Sequence, residues 1–226
     1  MTGQAPAPPG ARVALIGDVH GNAAALGAVL AAVRAAGISD GVVTGDIAMR
    51  GPEPAEAVAR VRALGWPVVC GNTDVKVGAG RPRPTGHPAS DRTGSRSWTI
   101  RRLSDDDREW LAGLPPRHET HVAGYRVLVT HGQPGDLPVV VDTGTPDAEL
   151  ARLGDALGVD VLVVGHTHRP MVRRAGRLLV VNPGAVGEGA DDDRRPSWAW
   201  LEVTPEGGLQ AHLARVAEPL APPRAP

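Results

Sequence analysis

Seven side chains of metal-ligand type recur in short clusters along the chain: Asp18 and His20, Asp46, Asn72, His131, and His166 with His168. Two carboxylates, one carboxamide and four imidazoles suit a borderline divalent ion such as Mn, Fe, Co, Ni or Zn. Two such ions sharing one carboxylate are the arrangement used for two-metal hydrolysis. Taken singly, each residue has a plainer reading. Asp18 or Asp46 alone reads as a helix cap or turn former, Asn72 as turn chemistry, and His131 as a hydrogen-bonded or surface imidazole. Their joint placement shifts the balance, because each cluster follows an apolar run.

Those runs are the elements that must position the site. RVALIG (12–17) and GVVTG (41–45) have the length of buried strands, and PVVCG (67–71) reads as a third. Between them, 22–36 places Leu26, Val29, Leu30 and Val33 at helical spacing, and 54–64 does the same with Val58, Val61 and Leu64. Strand–helix–strand–helix–strand predicts parallel βαβ units. Gly78 to Arg96 is rich in proline and glycine and reads as a long irregular surface loop. Ser104–Leu111 reads as a helix. Strands are expected at 118–122, 125–130, 160–165, 177–181, 197–203 and near 209–216, some of them antiparallel. In an open α/β sheet, ligands bind beyond the carboxyl ends of the strands. The clusters fall at five such exits (18–22, 46, 72–74, 131 and 166–168), which predicts one common rim. His87, His118, His121 and His212 lie elsewhere and keep their plain readings.

At this point the sequence resembles the calcineurin-like metallophosphoesterase family, in particular its small bacterial and archaeal phosphodiesterase branch. The resemblance rests on GDVHGN (17–22), GDIAMRG (45–51), GNTD (71–74), VTHG (129–132) and GHTH (165–168), in that order, with NPGAVG (182–187) as a further similar segment. It implies an α/β, four-layer αββα sandwich with mixed sheets. It also implies a single domain over 12–216, with flexible tails at 1–11 and 217–226. The implied ligand set is Asp18, His20 and His168 for one ion, Asn72, His131 and His166 for a second, and Asp46 bridging both. Two divalent transition metal ions follow as cofactors, manganese first, with iron, zinc, nickel or cobalt also suited. The implied reaction is attack of a metal-bridging hydroxide on a phosphodiester. The alternatives are a phosphatase acting on nucleotides, dinucleoside polyphosphates or phosphoproteins, or a non-catalytic binding module on the same fold.

The sequence departs from the family at one functional point. Where many relatives carry a histidine that protonates the leaving group, this chain has Thr73, and where an aspartate orients that histidine it has Met49. An alcohol is no useful acid near neutrality, and general acid catalysis contributes about 10²–10⁴-fold. Acidic leaving groups should therefore be handled best. By position, His87 in the irregular loop is the candidate replacement acid. Arg50 aligns with a phosphate-gripping arginine, and a guanidinium grips two phosphoryl oxygens in a fork; a surface pairing with Glu53 is the plain alternative. Trp98, beside the loop, is a candidate for stacking on an aryl or base group, though the tryptophans must supply nearly all aromatic bulk in a chain with one Tyr and no Phe.

Bulk composition narrows the rest. A net charge of −1 gives no footprint for nucleic acid or an anionic membrane. Cys70 is the one cysteine, so no disulfide framework is expected. No run reaches the roughly 20 apolar residues of a membrane span, and MTGQAPAPPGAR lacks the basic and apolar regions of a signal peptide. A cytoplasmic enzyme acting on a small-molecule or nucleotide phosphoester is expected, with the oligomeric state unread.

Overall fold

The computed structural model describes residues 10–86, 88–132 and 140–217. The chain runs β1 (Arg12–Ile16), α1 (Ala23–Ala35), β2 (Gly41–Val43), α2 (Pro54–Ala63) and α3 (Asn72–Gly78). It continues through α4 (Pro88–Asp91), α5 (Arg96–Ile100), α6 (Asp105–Ala112), β3 (Arg117–Val122) and β4 (Tyr125–Thr130). The last elements are α7 (Asp147–Leu157), β5 (Val161–Val163), β6 (Met171–Ala175), β7 (Leu178–Asn182), β8 (Ser197–Val203) and β9 (Leu209–Arg215). One sheet has the order β2-β1-β8-β9 and the other β3-β4-β5-β7-β6. Both are mixed. β1 pairs β2 in parallel and β8 antiparallel, while β5 lies parallel to β4 and β7.

Side-chain alternation along each strand builds the layers, because successive residues point to opposite faces. Leu15, Val129, Val161, Val163, Leu179, Val181, Ala199 and Leu201 form a core between the two sheets. Their neighbours Ala14, Ile16 and Trp198 turn outward onto α1 and α2. On the other side, Leu128, Leu162, Leu178 and Val180 pack with Leu150 and Leu153 of α7. Three apolar seams separate four layers, an αββα sandwich. Central strands buried on both faces explain why their sequences are continuously apolar rather than alternating.

Some expectations change. The run at 67–71 is not a strand but an isolated parallel bridge from Val68 to Val43. Pro67 has no N–H to donate, and the Cys70 amide leaves the ladder for the Pro115 carbonyl at 2.8 Å. The irregular loop contains one short helix, α4, and ends where a second, α5, begins. Helix α7, strand β6 and helix α3 had no place in the sequence reading. Of the expected N-terminal tail, Gly10 and Ala11 extend the pairing of β1 with β8, since the Gly10 amide donates to Val203 O at 2.9 Å and Ala11 O accepts from Val203 N at 3.0 Å. Residues 1–9 and 218–226 lie outside the described residues. Among the described residues, no helix is long and apolar enough to cross a membrane.

Candidate metal centre

Strands β1, β2, β4 and β5 end at one rim, and the polar residues that follow them converge there. Asp18 and His20 follow β1, Asp46 follows β2, His131 follows β4, and His166 and His168 follow β5. Asn72 opens α3. The close approach needs an unusual backbone. Asp18, His20, Asp46, His166 and His168 all have positive φ, between 50° and 71°; Arg50 and Ala123 are the other such non-glycine residues described. A left-handed L-residue costs on the order of 1–2 kcal/mol, so five at one rim mark stored strain at a functional site. Gly71 makes the approach possible, since a Cβ there would sit 2.0 Å from Asp46 Oδ1.

The inner half of the cluster is buried. His20 Nε2 lies 2.9 Å from His168 Nε2, 3.8 Å from Asp18 Oδ1 and 3.7 Å from Asp46 Oδ2. His168 Nε2 lies 3.2 Å from Asp18 Oδ1, and His131 Nε2 lies 3.5 Å from Asp46 Oδ2. The outer half faces solvent. There Asn72 Oδ1 sits 3.0 Å from His166 Nδ1 and 3.2 Å from His131 Nε2.

Backbone carbonyls set the tautomers. His20 Nδ1 donates to Met49 O at 3.0 Å, and His131 Nδ1 donates to Thr44 O at 2.8 Å. With Nδ1 protonated, the neutral form of each ring carries its lone pair on Nε2, the atom aimed into the cluster. Asp18 Oδ1, fully buried, has no hydrogen-bond partner. Lone pairs of His20, His131 and Asn72 and an orphaned carboxylate oxygen thus converge on the same small volume. Such a donor set requires a proton or a cation among its members, and its mix of imidazole and carboxylate fits a divalent transition metal.

Donor atoms of Asp18, His20 and His168 lie within 4.8 Å of one another, as do those of Asp18, Asp46 and His131. The family resemblance puts Asp46 in both ligand sets. In the structure Asp18 also reaches both groups.

The charges in the cluster lie close enough to act on one another. Burial alone would raise the Asp46 carboxyl, but the hydrogen bond and charge of His131 hold it well below the usual carboxylate range. Burial opposes protonation of His131 as well, yet its bond to Asp46 and the charge of Asp18 push it up to about 9. Burial lowers His20 and His166, while contact with Asp18 raises His168 against its own burial. A bound ion must displace the His131 proton. Metal affinity should therefore rise with pH up to about 9 and level off above it, by up to about tenfold per unit. Calorimetry in buffers of different ionisation enthalpy checks this; binding with no proton release and no pH dependence would refute it.

Two braces were not assigned roles in the sequence. The carboxylate of Asp74, fully buried, accepts from the amides of Asp46 (2.7 Å), Ile47 (2.8 Å) and Gly71 (2.8 Å). Burial and the neighbouring Asp46 charge push it up to about 7 against the amides of Gly71 and Ile47. Its signal was the Asp at the third position of a short helix, an ordinary capping pattern. Asn182, fully buried, donates through Nδ2 to Gly165 O at 2.9 Å and to Thr167 Oγ1 at 3.1 Å, and so holds the GHTH turn. That gives NPGAVG a structural role.

The other named residues stand apart. Thr73 is buried, its Oγ1 has no partner, and its amide donates to Asp46 Oδ1 at 2.8 Å. It supports Asp46 through its backbone, and its hydroxyl does not reach the surface. Arg50 pairs with Glu188 at 2.6 Å, not with Glu53. Trp98 is buried and Arg102 lies 3.6 Å above its ring, so that face is covered and cannot receive a substrate ring. His87 lies outside the described residues.

Comparison with known proteins agrees with this geometry. Residues 12–206 match the model of the calcineurin-like phosphoesterase superfamily domain. The chain is similar to a metallophosphoesterase from Sphaerobacter thermophilus whose crystal structure is known, at 29% identity and a TM-score of 0.73, covering 92% of this chain and 88% of that one. A hypothetical protein from Pyrococcus horikoshii shares the fold at 18% identity and a TM-score of 0.77, over 91% and 87% of the two chains. An uncharacterized protein of Methanocaldococcus jannaschii is 29% identical over 90% of this chain and 86% of its own length.

Proposed function

Since this chain belongs to the calcineurin-like phosphoesterase superfamily, we propose that it is a dimetal phosphoesterase that prefers phosphodiesters. The observation that carries this reading is the convergence of His20 Nε2, His168 Nε2 and His131 Nε2 on the carboxylates of Asp18 and Asp46. Asp18, His20 and His168 would hold one ion, manganese first among those that suit it. Asn72, His131 and His166 would hold a second, and Asp46 would serve both. When bound, divalent ions make hydroxide available near neutral pH and offset charge on the phosphoryl oxygens.

The chain's own residues do the rest. The carbonyls of Met49 and Thr44 keep the imidazoles oriented, and Asp74 keeps Asp46 in place. Exposed Asn72 and His166 mark the side from which substrate enters. With Thr73 buried, no alcohol or imidazole at the motif position serves as general acid. Leaving groups that are stable as anions depend least on such an acid and should be handled best.

Protein loaded with Mn²⁺ should cleave bis(4-nitrophenyl) phosphate. It should favour that diester over an alkyl monoester such as glycerol phosphate by about 10²-fold or more, the usual worth of a general acid. Equal turnover of the two would refute the diester preference. Unimpaired diester hydrolysis in His166→Ala would refute its place in the metal set.

A further inference from the structure

The two sheets leave a gap at the end of the sandwich opposite the metal-ligand cluster. Strands β4 and β5 run from this end toward the rim, from Tyr125 to His131 and from Val161 to His166. At the rise of a strand, the two ends lie roughly 15–20 Å apart. A cavity of about 250 Å³ opens at the far end. Its floor is Val161, Leu179 and Leu209, buried side chains of the core between the sheets. Its wall is polar and belongs to Arg174, Arg177, Asp160 and Tyr125.

The strand frame fixes that wall. Arg174 of β6 stands directly opposite Leu179 of β7, and residues so paired share a face of the sheet. Leu179 belongs to the core between the sheets, so Arg174 looks toward the other sheet. Its Nη2 crosses the gap and donates to Leu209 O of β9 at 3.2 Å. Among the described residues, no carboxylate pairs with this guanidinium. Arg177, in the turn that joins β6 to β7, places its Nε 3.2 Å from Asp155, which leaves its outer nitrogens for other partners. Asp160 Oδ2 accepts from the Arg126 amide at 2.9 Å, and Asp160 O accepts from the Leu179 amide at 2.8 Å.

Two guanidiniums against one carboxylate match a ligand with a single negative charge. A second charge on the ligand would meet Asp160. A guanidinium holds a carboxylate in a fork of two hydrogen bonds. The aliphatic floor offers no side-chain donor to an inorganic ion but packs well against an apolar body. The volume lies below the roughly 300–1,000 Å³ of pockets for drug-sized ligands, so the occupant is a smaller molecule. We propose that this cavity binds a small monocarboxylic acid with a compact apolar body, its carboxylate on Arg174 and Arg177 and its body on Val161, Leu179 and Leu209. None of these residues belongs to the metal cluster, so the site stands whether or not the chain hydrolyses phosphoesters.

Titration of the full-length, metal-free protein, followed through its backbone amide resonances, tests the site. 4-Methylpentanoate should shift the amides of Val161, Leu179 and Leu209. Its neutral analogue 4-methylpentanamide should bind about 10–100-fold more weakly, the usual worth of a hydrogen bond to a charged group. Inorganic phosphate should leave these amides in place at concentrations where the carboxylate saturates them. Arg174→Ala and Arg177→Ala, both at exposed side chains, should each weaken carboxylate binding about tenfold. Equal affinity for the carboxylate and the carboxamide, equal shifts with phosphate, or unchanged carboxylate binding in both variants overturns the proposal. Shifts confined to the metal-ligand rim, or no shifts with any of the three probes, overturn it as well.

Discussion

Asp46→Asn should leave the fold intact and lower metal-dependent diester turnover by on the order of 10⁴-fold. The substitution is isosteric at a nearly fully buried position. Asp46 Oδ1 accepts from the Thr73 amide at 2.8 Å, and the carbonyl of an asparagine can keep that bond. Oδ2 is different, lying 3.5 Å from His131 Nε2 and 3.7 Å from His20 Nε2. An amide NH₂ there turns hydrogens toward lone pairs that should face a cation, and it removes the anion between the two ligand groups. His131 also loses the partner that raises it. Near-native melting together with lost metal content by elemental analysis and lost turnover is the expected combination. A variant that keeps both metal and turnover would sink the ligand role of Asp46.

Asp74→Ala should be the most destabilising single change near the site. It strands three buried amides, those of Asp46, Ile47 and Gly71. An unsatisfied buried donor costs about 1–3 kcal/mol. Relief from burying a carboxyl that titrates near 7 offsets part of this. A net loss of about 3 kcal/mol lowers the melting temperature by roughly 6–12 °C in a chain of this size. The amides of Asp46 and Ile47 would no longer be anchored, and Asp46 depends on that anchor to hold φ at +55°. Metal affinity should fall about 10–100-fold as well, the usual effect of losing an outer support. Asp74→Asn, which keeps one carbonyl acceptor, should fall between. Wild-type melting and metal content in Asp74→Ala would show that the brace carries no energy.

The contrast between Asp46 and Asp74 shows what was legible. Asp46 could be singled out because it follows an apolar run and recurs in a pattern with Asp18, His131 and His166. Asp74 also stands at the end of an apolar run, within GNTD, but its local pattern is that of any capped helix. Its importance comes from three amides, two of them 27 and 28 residues away. The second strand pair read well, since β4 and β5 are buried on both faces. The run at 67–71 read equally well and failed, because hydrophobicity does not report where an amide finds its partner. Cys70 found Pro115. Trp98 failed for a similar reason, since Arg102, in the turn after its helix, covers the ring.

The sequence by itself determined the fold class, the family and the seven side chains brought to one rim. Apolar periodicity and ligand chemistry are local properties, written in residue type and spacing. Only the tertiary structure decided that Asp18 as well as Asp46 reaches both ligand groups, which carbonyls hold the imidazoles, and that Arg50 shares a cavity with Arg92 and Arg96. Those outcomes depend on backbone carbonyls, left-handed turns and loop docking between distant segments. Such features carry no residue-type signature, so they become readable only when the chain has closed on itself.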